Sequence, residues 1–325
     1  MRYLVTGGAG FVGSHLVDKL ISGGHAVIVL DDFSTGRREN LLQHANQKLL
    51  ELVEGDILNA NLVDELTSKV DRVFHLAAAV GVFNILEHPF KSIRTNIEGS
   101  ENLFNACLKY KRPIFITSSS EIYGKNSSDL LKEDSDRIIG APQKIRWSYS
   151  DAKAIDEAIA ISMHHQYGLE TRIARLFNTV GPRQVGHYGM VVPRFISAAL
   201  CNRPITVYGN GEQTRCFGHV LDIVDALIQL DTRSEAIAKP INVGVNQEIS
   251  ILDLAKRILE ISKSRSEIQF QSYADAYLMG YEDMQRRVPD NSLLIQMTNW
   301  HPTKDIDNII EDIIHSMNLE NSVKS

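Results

Sequence analysis

The stretch that most constrains this chain is Val5–His15, which reads VTGGAGFVGSH. It joins a short apolar run, Arg2–Thr6, to a stretch of helical period, Phe11–Ser22. Gly7, Gly10 and Gly13 allow a tight turn and let backbone N–H groups approach a ligand at the positive end of the helix. A glycine pattern alone is weak, but three features of its setting agree here. A strand precedes it, a helix follows it, and an acid, Asp31, ends the next apolar run, Ala26–Leu30, about 20 residues on. Together they describe a dinucleotide site, with glycines for the pyrophosphate and a carboxylate for the ribose hydroxyls. A carboxylate at Asp31 repels a 2′-phosphate, which favours NAD over NADP. Arg37 and Arg38 lie nearby and keep NADP open.

The rest of the first half continues this rhythm. Leu49–Glu54, Arg72–Leu76 and Pro113–Thr117 read as buried strands, and Asn61–Lys69 and Pro89–Lys109 as helices between them. Ser148–Tyr167 is a long helix and Glu170–Arg175 the strand after it. Repeated βα units predict a doubly wound parallel sheet of Rossmann type, with helices on both faces. After Asn178 the rhythm loosens: Gly181, Pro182, Gly186, Gly189, Pro193, Pro204, Gly209 and Gly211 punctuate short pieces. A smaller, mixed substrate-binding lobe is expected there. His219–Leu230 and Pro240–Gly244 look like a helix and strand returning to the main sheet, and the chain from Ile249 onward reads as mostly helical. The expected division is therefore 1–178 plus about 216–246 for the cofactor domain, and about 179–215 plus 247–325 for the other lobe.

Composition narrows the class. The 325 residues carry 34 Lys and Arg against 40 Asp and Glu, a net charge of −6, which argues against nucleic acid or a membrane surface as partner. Cys107, Cys201 and Cys216 are far apart and form no CxxC pair, so neither a disulfide framework nor a metal site is expected. No apolar run is long enough to span a membrane. The first strand begins at Arg2, leaving no room for a signal peptide, so a cytoplasmic location is expected.

A second constellation suggests chemistry. Tyr149 and Lys153 are four residues apart on one helix face. A phenol of pKa ~10 is a poor base at neutral pH, and a lysine one turn away plus a positive nicotinamide ring would bring it into range. Ser118–Glu121 follows the fifth strand, at the carboxyl edge where ligands bind in such sheets.

With TGGAGFVGSH, HLAA, SSSEIYG (Ser118–Gly124), YSDAK (Tyr149–Lys153), LFNTVGPRQ (Leu176–Gln184), ITVYGNGEQTRCFGHV (Ile205–Val220) and RRVPD (Arg286–Asp290), the chain resembles the extended short-chain dehydrogenase/reductase family. The branch is that of nucleotide-sugar epimerases, dehydratases and decarboxylases, and the resemblance covers nearly the whole chain. It implies that Tyr149 is the base on the sugar 4-hydroxyl, Lys153 its partner on the nicotinamide ribose and Ser119 the catalytic hydroxyl. The implied cofactor set comprises Gly7, Gly10, Phe11, Val12, Gly13, Asp31, Asp32, Ser34, Thr35 and Gly36. It continues with Asp56, Ile57, Leu76, Ala77, Ala78 and Asn96, besides Tyr149 and Lys153. On the substrate side, Asn178 would contact a diphosphate, Arg215 and Arg287 would clamp it, and Tyr208 would wall the nucleobase, with Val191 and Arg146 nearby. The family also implies a homodimer through the helices Pro89–Lys109 and Ser148–Tyr167.

The shared first step of this branch is oxidation at sugar C4 to a transient ketone, and three fates follow: epimerisation, loss of CO2 from a uronate, or loss of water. Val80 stands where galactose epimerases of the family carry lysine. Ser120 and Glu121 resemble the triplet of UDP-glucuronate decarboxylases and GDP-mannose dehydratases, while thymidine-nucleotide glucose dehydratases have Asp then Glu. Arg146–Trp147 and the segment Gly280–Pro289 also resemble UDP-glucuronate decarboxylases. UDP-glucuronate decarboxylase and UDP-sugar 4-epimerase therefore stand side by side, and a 4,6-dehydratase comes third. A non-catalytic NAD-binding regulator on the same fold is the alternative from another class. A keto-sugar reductase using NADPH is a further one, against which Asp31 argues.

Overall fold

The computed structural model describes residues 1–81, 87–186, 190–272, 284 and 286–324, with side chains through 319. Gly189 and residues 280–283 and 285 of the decarboxylase-like segment lie outside the described residues.

The local sequence explains the main sheet. Strands β1 (Arg2–Thr6), β2 (Ala26–Asp31), β3 (Leu50–Glu54), β4 (Arg72–His75), β5 (Ile114–Ser119) and β6 (Thr171–Leu176) are joined by Pro240–Val243 in one seven-stranded sheet. The order is 3-2-1-4-5-6 followed by Pro240–Val243, and every neighbouring pair is parallel. A strand alternates its side chains between faces. Val27 and Val29 accordingly pack with Val5, Phe74 and Phe115 on one side, while Ile28 and Leu30 pack with Leu4, Ile114 and Ile116 on the other. Both faces are apolar because both are covered. Helix α1 (Phe11–Ser22) supplies Leu16, Val17 and Leu20 to the first face, joined by Val220–Asp231. Helices α2 (Ala60–Ser68), α3 (Pro89–Tyr110) and α4 (Ser148–Tyr167) supply Val63, Leu103, Phe104 and Ala160 to the second.

The strand order reverses its direction of growth between β1 and β4, and a crevice opens there at the carboxyl ends. A separate apolar cluster, with Phe195, Ile205, Val207, Leu254, Ile258, Ile309 and Ile313, builds the smaller lobe. Its strand Ile205–Tyr208 pairs in parallel with Ile268–Gln271, and Thr214–Cys216 runs antiparallel to Glu248–Ser250. Two of these pairings correct the mostly helical expectation after Ile249. Ile268–Gln271 has only four residues and little buried surface, so its apolar signal was too short to read. No helix among the described residues is long and apolar enough to cross a membrane.

Close backbone packing explains the glycines. Gly7 has φ +69°, and a Cβ there would lie 2.7 Å from the Ala77 nitrogen. A Cβ on Gly13 would lie 2.1 Å from the Gly7 carbonyl oxygen. Both contacts are to backbone, which cannot step aside. Gly13→Ala is expected to lower stability by roughly 1–3 kcal/mol in urea denaturation, the cost of overpacking; an unchanged midpoint would contradict this packing.

Candidate active site

A cleft of about 620 Å³ runs from the crevice of the sheet into the smaller lobe. At one end are Gly7, Gly10, Phe11, Val12 and Gly13, then Asp31, Asp32, Ser34, Thr35, Asp56, Ile57, Leu76, Ala77 and Ala78. Helix α1 starts at Gly10 with no side-chain cap, which leaves its first N–H groups for a ligand. Asp31 is buried, and its two oxygens accept the Ala9 and Phe33 N–H groups, each at 2.9 Å. A carboxylate oxygen has more than one lone pair, so ribose hydroxyls can still be met. Arg38 pairs with Glu54 and stacks on Phe33 at 4.2 Å, and Arg37 lines a different cavity. Neither arginine is on the cleft wall, so neither offers a 2′-phosphate a partner there. The donor set and the glycine cradle fit NAD.

Two expected cofactor residues stand behind the wall. Gly36 packs against the Asp31 carboxylate, where a Cβ would lie 2.6 Å from Oδ1. Asn96 accepts from the Ala79 N–H at 2.7 Å and donates to the Ala79 carbonyl at 3.2 Å. Both shape the wall without being part of it, a distinction that spacing in sequence does not carry.

Ser119, Ser120, Glu121, Tyr149 and Lys153 come together in the middle of the cleft. Ser119 ends β5 and caps the short turn Ser120–Tyr123, accepting the Glu121 N–H at 3.2 Å. Tyr149, in the first turn of α4, hydrogen-bonds to Ser119. Burial, with the charges of Glu121 and Asp156, pushes the Tyr149 phenol well above its ordinary range. Lys153 is buried, and its ammonium donates to Asp156 Oδ2 at 3.3 Å. Within the protein the expected lowering by lysine does not prevail: burial first, then Glu121, then Asp156, a residue no motif points to, raise the phenol. The one-turn spacing of Asp156 from Lys153 was the available signal.

The other end holds Asn178, Val191, Tyr208, Arg215, Arg287 and Arg146. Arg194 stacks over Tyr208 at 4.4 Å, a neighbour to which no motif points. Arg215 is held in the strand facing Glu248–Ser250, and its guanidinium donates to the Thr214 carbonyl at 2.8 Å. Asn178 donates to the Cys216 carbonyl at 3.0 Å and accepts from Arg287. Val80 lines the same wall. Among the described residues no group of acids, histidines or cysteines could hold a metal ion.

One arrangement was not anticipated. Glu121 pairs with Arg146 at 2.9 Å and with Arg287 through its other oxygen. Burial alone would raise its carboxyl, but the Arg287 and Arg146 guanidiniums overcome this and hold it down at about 2. Arg146, buried against Trp147 at 4.7 Å, therefore already has an anion and does not depend on a substrate for one. Both guanidiniums lie on the cleft wall, gathered on the one Glu121 carboxylate.

The chain is similar to several proteins of known kind. The family model described as GDP-mannose 4,6 dehydratase matches residues 4–313. The UDP-N-acetyl-alpha-D-glucosaminuronate decarboxylase of Bacillus cytotoxicus is 39% identical over 93% of this chain and 92% of its own length. UDP-glucuronic acid decarboxylase 1 of Xenopus tropicalis is 36% identical over 98% of this chain and 72% of its own. Among solved structures, the UDP-glucuronic acid 4-epimerase of Bacillus cereus, in complex with UDP-glucuronic acid and NAD, superposes with a TM-score of 0.88 at 26% identity, covering 98% of this chain and 100% of that one. The UDP-glucose 4-epimerase of Thermotoga maritima, with UDP-glucose, gives 0.89 at 27% identity, covering 99% and 100%.

Two outcomes follow from the site. NAD should bind more tightly than NADP in a fluorescence titration, and equal affinity would remove the Asp31 argument. Because the Glu121 carboxyl is depressed in the folded state, its stabilisation is present above an unfolded pKa of ~4.3 and is lost as pH falls towards about 2. The stability gap between wild type and Glu121→Gln in urea should therefore narrow over that window; a constant gap would mean that Glu121 is not held as an anion.

Proposed function

Because this chain belongs to the GDP-mannose 4,6 dehydratase family, and is an NAD-dependent nucleotide-sugar-modifying enzyme, we propose that it decarboxylates a UDP-linked uronic acid through a transient 4-ketone. The observation that carries this reading is the Arg146–Glu121–Arg287 cluster. It sets two guanidiniums on the cleft wall, donors of the kind that a C6 carboxylate would meet, and the two decarboxylase relatives reported above act on uronates by name.

The wall from Gly7 to Ala78, with Lys153, would hold the cofactor. NAD bound there supplies a hydride acceptor for sugar C4 and afterwards gives the hydride back. Tyr149, hydrogen-bonded to Ser119, takes the proton of the 4-hydroxyl. A ketone at C4 makes the C6 carboxylate that of a β-keto acid. The C5–C6 bond then breaks, CO2 leaves, and the electron pair passes into an enolate whose oxygen is at C4. Tyr149 and Ser119 would hydrogen-bond that oxygen. A proton at C5 and the return of hydride and proton at C4 complete the cycle.

The cluster also weighs against the other fates. Water loss needs a base for the C5 proton and an acid for the leaving hydroxyl. A Glu121 held at about 2 is a weak base, and Ser120 beside it is a poor acid. Epimerisation of a neutral sugar needs no charged group at C6, so the cluster weighs against a neutral-sugar 4-epimerase and leaves a uronate 4-epimerase to the incubation below. A tight grip on the carboxylate would oppose CO2 loss, and Glu121, by engaging both guanidiniums, loosens that grip.

The reading extends to a homodimer through α3 and α4, where Phe90 is 78% and Ile155 42% exposed. A cytoplasmic location agrees with three free cysteines. Incubation with UDP-glucuronate, UDP-N-acetylglucosaminuronate and UDP-glucose, followed by mass and NMR analysis, tests the proposal. CO2 release from a uronate is expected; inversion at C4 with no mass change would assign a 4-epimerase instead. Tyr149→Phe should cut turnover by ~10²–10⁴-fold with NAD binding retained; near-normal turnover would remove Tyr149 as the base.

A further inference from the structure

Behind Lys153, on the side away from the cleft, lies a buried polar chain that the reaction above does not use. Lys153 and Asp156 are one turn apart on α4, and their side chains are 3% and 2% exposed. The Ser100 hydroxyl of α3 lies beside the Asp156 carboxylate. It donates to the Asn96 carbonyl at 2.6 Å and meets His75 Nε2 at 3.0 Å. His75 Nδ1 in turn lies 2.8 Å from Thr6 Oγ1 at the end of β1. Asp156 Oδ1 has no hydrogen-bond partner among the described residues. A buried carboxylate with so little support is costly, unless its charge is required where it stands.

We propose that Asp156 is a positioning residue for proton transfer: it holds the Lys153 ammonium and offsets its charge, so that Tyr149 can both take and return a proton at one working pH. The proposal rests on the reading of Tyr149 as the base. In that role the phenol accepts a proton when C4 is oxidised and returns it when C4 is reduced. A group with two such tasks works best with its midpoint near the working pH. Lys153 and a positively charged nicotinamide both favour the phenolate, and an opposing anion holds its midpoint up.

The surrounding charges are accounted for. Glu121 faces Tyr149 from the turn after β5 and raises the phenol more than Asp156 does, but its ion pairs are with Arg146 and Arg287 and not with Lys153. Glu157, the other acid beside Asp156, is matched by Arg175 of β6 at 2.7 Å. His75 of β4 is fully buried, and burial and Lys153 keep it well below its ordinary range, so it adds no positive charge near neutral pH. Asp156 is therefore the acid whose charge bears on both Lys153 and Tyr149.

An ultraviolet difference titration of the NAD complex tests this without any sugar. Subtracting the Tyr149→Phe protein isolates the phenolate signal of Tyr149. In Asp156→Asn the midpoint should fall by about one unit, since a negative charge near the phenolate is lost. Asp156→Glu, which keeps the charge, should restore it towards the wild-type value. Asp156→Ser repeats the measurement should the amide variant not fold. An unchanged midpoint in a folded, NAD-binding variant would overturn the proposal, as would an equal fall in Asp156→Glu. No Tyr149 signal between about pH 5 and 11 in the wild-type complex would overturn the assignment of Tyr149 itself, and the Asp156 proposal with it.

Discussion

The Glu121 carboxylate is the interaction on which the two sides of the cleft depend. It projects from the turn after β5, and it is gripped by Arg146 at the approach to α4 and by Arg287 from the C-terminal part of the chain. Arg287 also reaches Asn178, which ties the end of β6 to the same point. Removing the carboxylate would leave two guanidiniums largely buried together, and an uncompensated buried charge typically costs ~3–5 kcal/mol. Closure of the cleft and the charge offered to a ligand are thus set by one group.

A similar compensation governs the Tyr149 region. Burial and the Glu121 and Asp156 charges make ionisation of the phenol harder, and Lys153, one turn along the helix, is paired with Asp156. The protein alone therefore keeps Tyr149 protonated. A positively charged ring beside it is what would move the balance, which links proton transfer to occupancy of the cofactor wall. The same low-dielectric setting makes each charge effective over the short distances involved.

The parts legible in the sequence were those whose cause is local. Gly7, Gly10 and Gly13 are adjacent to their own strand and helix, and the alternation Val27–Ile28–Val29–Leu30 states in four residues that both sheet faces are covered. The Tyr149–Lys153 spacing placed both groups on one face of α4 before any packing was known. The strand Ile268–Gln271 was missed because four half-exposed residues carry too little pattern. Gly36 and Asn96 were placed on the cofactor wall, although their side of it faces the protein, because proximity along the chain does not say which face a residue presents.

What the sequence by itself determined is the doubly wound sheet, its glycine turn and the acid that closes the second strand, since each follows from period, sterics and short-range spacing. What only the tertiary structure decided is which charges meet. Glu121 lies 25 residues from Arg146 and 166 from Arg287 along the chain, and no local rule joins them. Their pairing depends on how the C-terminal segment returns over the sheet, and it converts arginines expected to await a ligand into a preformed ion cluster. The ionisation of Glu121 and of Tyr149 follows from that packing, because a pKa is set by burial and by neighbouring charge rather than by residue type.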